Sequence, residues 1–139
     1  MNVNCQKVGM SPRPRWPHQD IIMTALSKIY ADLDPEQYVV RIDSSITDNW
    51  NDVAPDIVVF NSVNYPLMVM EVASHRDLKR NQNKCTALLE RFPDAEFYVY
   101  DYEREVLYML EADENSWVSS NECELCSVYL YEPVESYFM

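Results

Sequence analysis

Pro55-Asp56-Ile57-Val58-Val59-Phe60 and Pro66-Leu67-Met68-Val69-Met70-Glu71-Val72-Ala73 are two apolar runs joined by a short polar link over residues 61–65. Bounded this way, they read as adjacent antiparallel strands. Pairing them brings the acid that opens the first run, Asp56, beside the acid near the end of the second, Glu71, at one end of a small sheet. Two carboxylates converging there are what a hard divalent cation such as Mg²⁺ needs, because it takes a few oxygens and keeps its remaining waters. A charge closing a run as apolar as residues 67–70 must in any case find a partner, and an ion pair with a nearby Lys or Arg is the other way to supply one.

Upstream, residues 18–33 place Ile21, Ile22, Ala25, Leu26, Ile29, Tyr30 and Leu33 on one stripe of a helix. Pro17 suits its first turn and Asp34-Pro35 stops it. The first fourteen residues, rich in Asn and Pro, read as an irregular arm. A strand is expected over residues 38–42, then a polar loop over residues 43–54. Downstream, Leu78, Cys85, Leu88, Leu89 and Phe92 form the inward face of a second helix over residues 77–91, which Pro93 ends. Residues 96–101 alternate as a strand, Glu103-Arg104 turns the chain, and residues 106–111 return as another. A weaker strand signal lies in the Cys/Tyr-rich residues 125–131. With no repeat or linker, residues 1–139 form one domain of the α/β class, an α+β mixed sheet with helices packed on it.

The composition removes several functions. A single glycine, Gly9, excludes a Gly-rich phosphate loop and with it the usual organic nucleotide cofactors. No apolar run approaches the ~20 residues that span a membrane. The N-terminus lacks a charged-then-apolar leader, so a cytoplasmic location is expected, with Cys5, Cys85, Cys123 and Cys126 as reduced thiols. Cys123 and Cys126 form a lone C-x-x-C without the further ligands of a structural zinc site.

The net charge of −12 argues against nucleic acid as a partner until its distribution is considered. Residues 94–139 carry 12 acids and one base, whereas residues 1–93 are nearly balanced. Arg76, Lys79, Arg80, Lys84 and Arg91 face only Asp77 and Glu90 in their stretch. This is either a solvated helix face or a basic strip beside the acidic pair, able to hold a phosphate backbone.

The order helix, three strands, helix, strand, with Asp56 and Glu71 on the second and third strands, resembles the PD-(D/E)xK nuclease superfamily. The closer resemblance is to its Uma-type restriction-endonuclease branch. It rests on Arg15-Trp16-Pro17-His18-Gln19 before the first helix, Pro55-Asp56, Glu71-Val72-Ala73-Ser74, Lys84 on the second helix, and Glu96-Phe97-Tyr98-Val99-Tyr100-Asp101. Together these cover roughly residues 15–110. The general superfamily pattern has Lys two residues after the Glu, where this chain has Ala73; in the Uma-type branch a helix Lys takes that place. Lys84, beside the inward-facing Cys85, is positioned to run its stem along apolar surface to the sheet end, although it also fits a solvated helix face. The segment His75-Arg76-Asp77-Leu78-Lys79-Arg80-Asn81-Gln82-Asn83 departs from the branch's usual Ser-Pro-Ser-Thr and Asp-before-Lys pattern, and Pro93-Asp94-Ala95 replaces its Gly-Val.

The resemblance implies a restriction-endonuclease-like core and Mg²⁺-dependent (or Mn²⁺-dependent) hydrolysis of DNA phosphodiester bonds. Asp56, Glu71 and the backbone carbonyl of Val72 would hold the ion, Lys84 would assist, and His18 would lie near the site. By analogy with small nucleases of this fold, a homodimer is expected. The alternative is a catalytically inactive nuclease-fold protein acting as a protein-interaction module, favoured by the acidic C-terminal half and the altered segment after Ser74. Tyr98, Tyr100 and Tyr102 share a strand face and serve either to pack the sheet or to stack on bases.

Overall fold

The computed structural model describes residues 16–43 and 54–139. The expected irregular arm and nearly all of the polar loop after Asp43 lie outside the described residues. The elements run α1 (Trp16–Asp32), β1 (Tyr38–Ile42), β2 (Ile57–Asn61), β3 (Pro66–Ala73), α2 (Leu78–Arg91), β4 (Glu96–Asp101), β5 (Val106–Glu111) and β6 (Ser116–Ser119). A 3₁₀ turn at His75–Asp77 leads into α2, and another at Val134–Phe138 ends the chain.

The six strands form one sheet in sequence order. All neighbours are antiparallel except β3 and β4, which run parallel. A parallel pair needs a crossover, and α2 provides it. The sheet is covered on both faces, which is why β2 and β3 are continuous apolar runs and not alternating ones. On one face Ile57, Val59, Met68, Met70, Val72, Tyr98 and Tyr100 pack with Ile22, Ala25, Ile29 and Leu33 of α1. On the other, Val58, Phe60, Val69, Ala73, Phe97 and Val99 pack around Cys85 of α2. Tyr98 and Tyr100 are therefore core residues, at 0% and 3% exposure, and Tyr100 stacks on Phe138 with ring centres 4.9 Å apart.

The strand expected over residues 125–131 is not formed. That segment crosses the α1 face of the sheet, away from a sheet edge, and buries Leu125 and Leu130 there beside Val134, Tyr137 and Phe138. Its backbone donors go to side chains in place of a ladder: Val128 N–H to Glu96 at 3.3 Å, and Tyr129 N–H to Ser127 Oγ at 3.0 Å. The C-terminal turn is tied to α1 by Lys28 Nζ, 2.6 Å from the carbonyl oxygen of Met139, and by the Tyr137 hydroxyl on Asp32. The sheet instead gains β6, a hairpin partner of β5, through a turn in which Asn115 takes a left-handed φ of 52°.

Candidate functional site

Antiparallel register puts Ile57 opposite Met70, so the residues just outside that pair, Asp56 and Glu71, meet at the sheet end. Each carboxylate binds the other's strand. Asp56 Oδ2 accepts from Val72 N–H at 2.7 Å, and Glu71 Oε1 accepts from Asp56 N–H at 3.1 Å. α1 and α2 then contribute one side chain each from opposite faces of the sheet. His18 Nε2, in the first turn of α1, lies 3.3 Å from Asp56 Oδ2. Lys84 Nζ lies 2.6 Å from Glu71 Oε2. Four residues expected from the sequence thus come together with Val72.

Burial separates the two acids. The Glu71 side chain is 1% exposed and that of Asp56 14%. Desolvation pushes the Glu71 carboxyl up to about 7; the Lys84 ammonium opposes the shift and the charge on Asp56 adds to it. The Glu71–Lys84 contact is close but poorly directed, and Oε2 is buried without a hydrogen bond aimed at it. His18 has its pKa raised, first by the hydrogen bond to Asp56 and against the effect of burial, with the Val72 backbone and Asp43 adding to the rise.

The acids open into a cleft of about 670 Å³. Of the basic residues after Ser74, Arg76, Arg80 and Lys84 line it, at intervals of four, while Lys79 and Arg91 do not. Tyr102 lines it beside His18, the rings edge to face at 6.4 Å. Sequence reasoning had Asp101 only as the last residue of the Glu96–Asp101 strand motif and gave no role to it; it is a buried carboxylate next to this cleft. Its Oδ1 accepts from Glu103 and Arg104 N–H at 3.0 Å each, and His75 Nδ1 is 2.8 Å from Oδ2. The available signal was an acid, Asp101, following an apolar run as Glu71 follows residues 67–70.

Whether a divalent cation fits can be judged from the donors. Among the described residues no three His, Cys, Asp or Glu side chains converge into a ready-made cage. Mg²⁺ needs no such cage, since it is held by one or two carboxylates and water. The undirected Oε2 of Glu71, next to Asp56, is a donor that such an ion satisfies. Cys85, Cys123 and Cys126 are free thiols, and burial pushes the Cys85 thiol up. No described helix is long and apolar enough to cross a membrane.

No family model matches the chain, and no curated protein does. Among solved structures, the chain is similar to a "putative nuclease belonging to DUF820" from Anabaena variabilis, with a TM-score of 0.67 and 13% identity, over 92% of this chain and 85% of that one. The likeness establishes the shared fold, a mixed-sheet, restriction-endonuclease-like core.

Proposed function

We propose that the chain is a Mg²⁺-dependent or Mn²⁺-dependent endonuclease of the PD-(D/E)xK type, of the Uma-type branch, hydrolysing phosphodiester bonds of DNA. The observation that carries this reading is the reciprocal pairing of Asp56 and Glu71, with Lys84 Nζ 2.6 Å from the Glu71 oxygen that lacks a directed hydrogen bond. A shared fold with a protein described as a nuclease supports it.

Asp56, Glu71 and the carbonyl of Val72 would hold the ion. When bound, it supplies Lewis-acid polarisation of the phosphoryl group and lowers the pKa of water. The chain's own side chains do the rest. Lys84 turns its ammonium from Glu71 towards the phosphate and stabilises the negative charge that develops there. His18, held by Asp56, carries a proton at Nε2 at the rim of the cleft and can release it to a leaving oxygen. Arg76 and Arg80 neutralise neighbouring phosphates and hold the backbone in register over the acids.

A second reading keeps the fold without the chemistry. It is favoured by the same contacts, because Lys84 on Glu71 and His18 on Asp56 already neutralise the two acids. Cleavage of labelled DNA with Mg²⁺ or Mn²⁺ separates the two. The nuclease reading expects cutting that EDTA abolishes and Glu71→Ala removes. A folded wild type that neither cuts nor binds either ion contradicts it.

A further inference from the structure

Resting on the nuclease reading, the two sides of the cleft narrow its substrate. Arg80 and Lys84 come from α2 one turn apart, about 6 Å along its axis, and Arg76 precedes them from the 3₁₀ turn that leads into the helix. This spacing suits successive phosphates of one extended strand. From the α1 side comes a half-buried aromatic ring, Tyr102, packed against the core that contains α1.

The backbone at Tyr102 is fastened by hydrogen bonds. Its N–H donates to Ala73 at 3.1 Å. The next two N–H groups, of Glu103 and Arg104, are fixed on Asp101, a residue with 0% exposure. His75 clamps the same carboxylate from the loop that carries Arg76, and its own N–H donates to Glu103 Oε1 at 2.8 Å. The aromatic ring and the basic row are therefore tied to each other through Asp101 and Glu103. A basic track facing an aromatic ring is how proteins bind unpaired nucleotides: phosphates on one side, a base stacked on the other.

Charge elsewhere acts against a duplex. Asp77 and Glu103 line the same cleft. Duplex DNA carries about one charge per 1.7 Å of its axis, twice that of a single strand. Either form meets Asp77 and Glu103 at the cleft, and a lone strand, with half the charge per length, is repelled less by them.

From this we infer that the cleft takes single-stranded or locally unpaired nucleic acid, with Arg76, Arg80 and Lys84 on successive phosphates, Lys84 at the one over Glu71, and Tyr102 stacking on a neighbouring base. The test is anisotropy titration of a labelled 12-nucleotide oligodeoxynucleotide, single-stranded or annealed to its complement, at one fixed salt concentration. It is run in EDTA and again with Ca²⁺. The single strand is expected to bind about tenfold tighter or more, Tyr102→Ala to weaken it about tenfold, and Tyr102→Phe to restore it. Duplex affinity should not respond to Tyr102→Ala. Equal or tighter binding of the duplex overturns the inference, as does a folded Tyr102→Ala with unchanged single-strand affinity, or no binding of either form. Failure of the underlying reading looks different. Single-strand preference without metal-induced stabilisation or cleavage would sink hydrolysis alone, and metal-dependent duplex cleavage without that preference would sink this inference alone.

Discussion

Two buried carboxylates lie near the ends of neighbouring strands, two positions apart in register, Glu71 in β3 and Asp101 at the end of β4, and they are treated in opposite ways. Asp101 is 0% exposed and holds two backbone N–H groups on one oxygen and His75 on the other. Glu71 is 1% exposed, holds one backbone N–H, and keeps an oxygen with only a misdirected ammonium beside it. Equal burial thus has different consequences. Asp101 is satisfied within the chain and fastens the turn that carries Tyr102. Glu71 is left electrostatically unsettled, with its pKa pushed up to about 7 by desolvation, in a cleft open to solvent. Buried acids with perturbed protonation in a cleft are candidates for function, which is the ground for the proposal at Glu71, whereas Asp101 has its partners within the chain.

The largest effect expected from this contrast is on stability at Asp101. Asp101→Ala removes a fully buried carboxylate that accepts from two backbone N–H groups and His75, and should cost about 4 kcal/mol in urea unfolding. A loss below about 1 kcal/mol would mean that the clasp is dispensable.

At the other acid the expected effects are on function. Lys84→Met should slow DNA cleavage about a hundredfold, near 2.7 kcal/mol in the barrier, with less effect on folding than Asp101→Ala. Unchanged turnover in this variant would remove Lys84 from the chemistry.

The pH dependence of Glu71 comes next. Its carboxyl ionises at 4.5 in the unfolded chain and at about 7 in the folded one. The folded state therefore binds the extra proton between those values, and stability from this group falls as pH rises through that window. Glu71→Gln, which imitates the protonated form, should be more stable than wild type by about 2 kcal/mol at pH 8, with the difference vanishing towards pH 4. A pH-independent difference would show that desolvation of Glu71 is not felt. For the same reason Mg²⁺ should bind more weakly as pH drops below 7, when Glu71 takes up its proton and His18 becomes a competing cation on Asp56.

The smallest effect is reserved for the surface thiols. Cys123→Ser and Cys126→Ser, at exposed positions, should change stability by less than about 0.5 kcal/mol and leave metal response unaltered.

What the sequence disclosed about this contrast followed from local periodicity. The boundaries of β1, β4 and β5 coincide with the expected runs, because each is bracketed by turn residues. The antiparallel pairing of β2 and β3, and with it the meeting of Asp56 and Glu71, was legible from two apolar runs and a short link. The segment over residues 125–131 was misread because apolar residues buried irregularly over a sheet face look like a strand when only composition is available. β6 was missed because four residues, Ser116–Ser119, are too few for periodicity to register. The role of Asp101 was hidden for a different reason. Its donors come from residues 75, 103 and 104, and only the parallel register of β3 with β4 brings the loop at His75 to the end of β4. Tyr102 continues the face of Tyr98 and Tyr100, yet lies beyond the last residue of β4, which turns it from a core residue into a wall of the cleft.

The difference between the two acids is tested most directly by following the melting temperature of wild type and Glu71→Ala while Mg²⁺ and Mn²⁺ are added. At an ion concentration about a hundred times the Kd, binding contributes about 2.7 kcal/mol, a rise of several degrees. The rise is expected in wild type and should be absent in Glu71→Ala. A folded wild type with no rise, or an equal rise in both proteins, would contradict a cation site at Asp56 and Glu71.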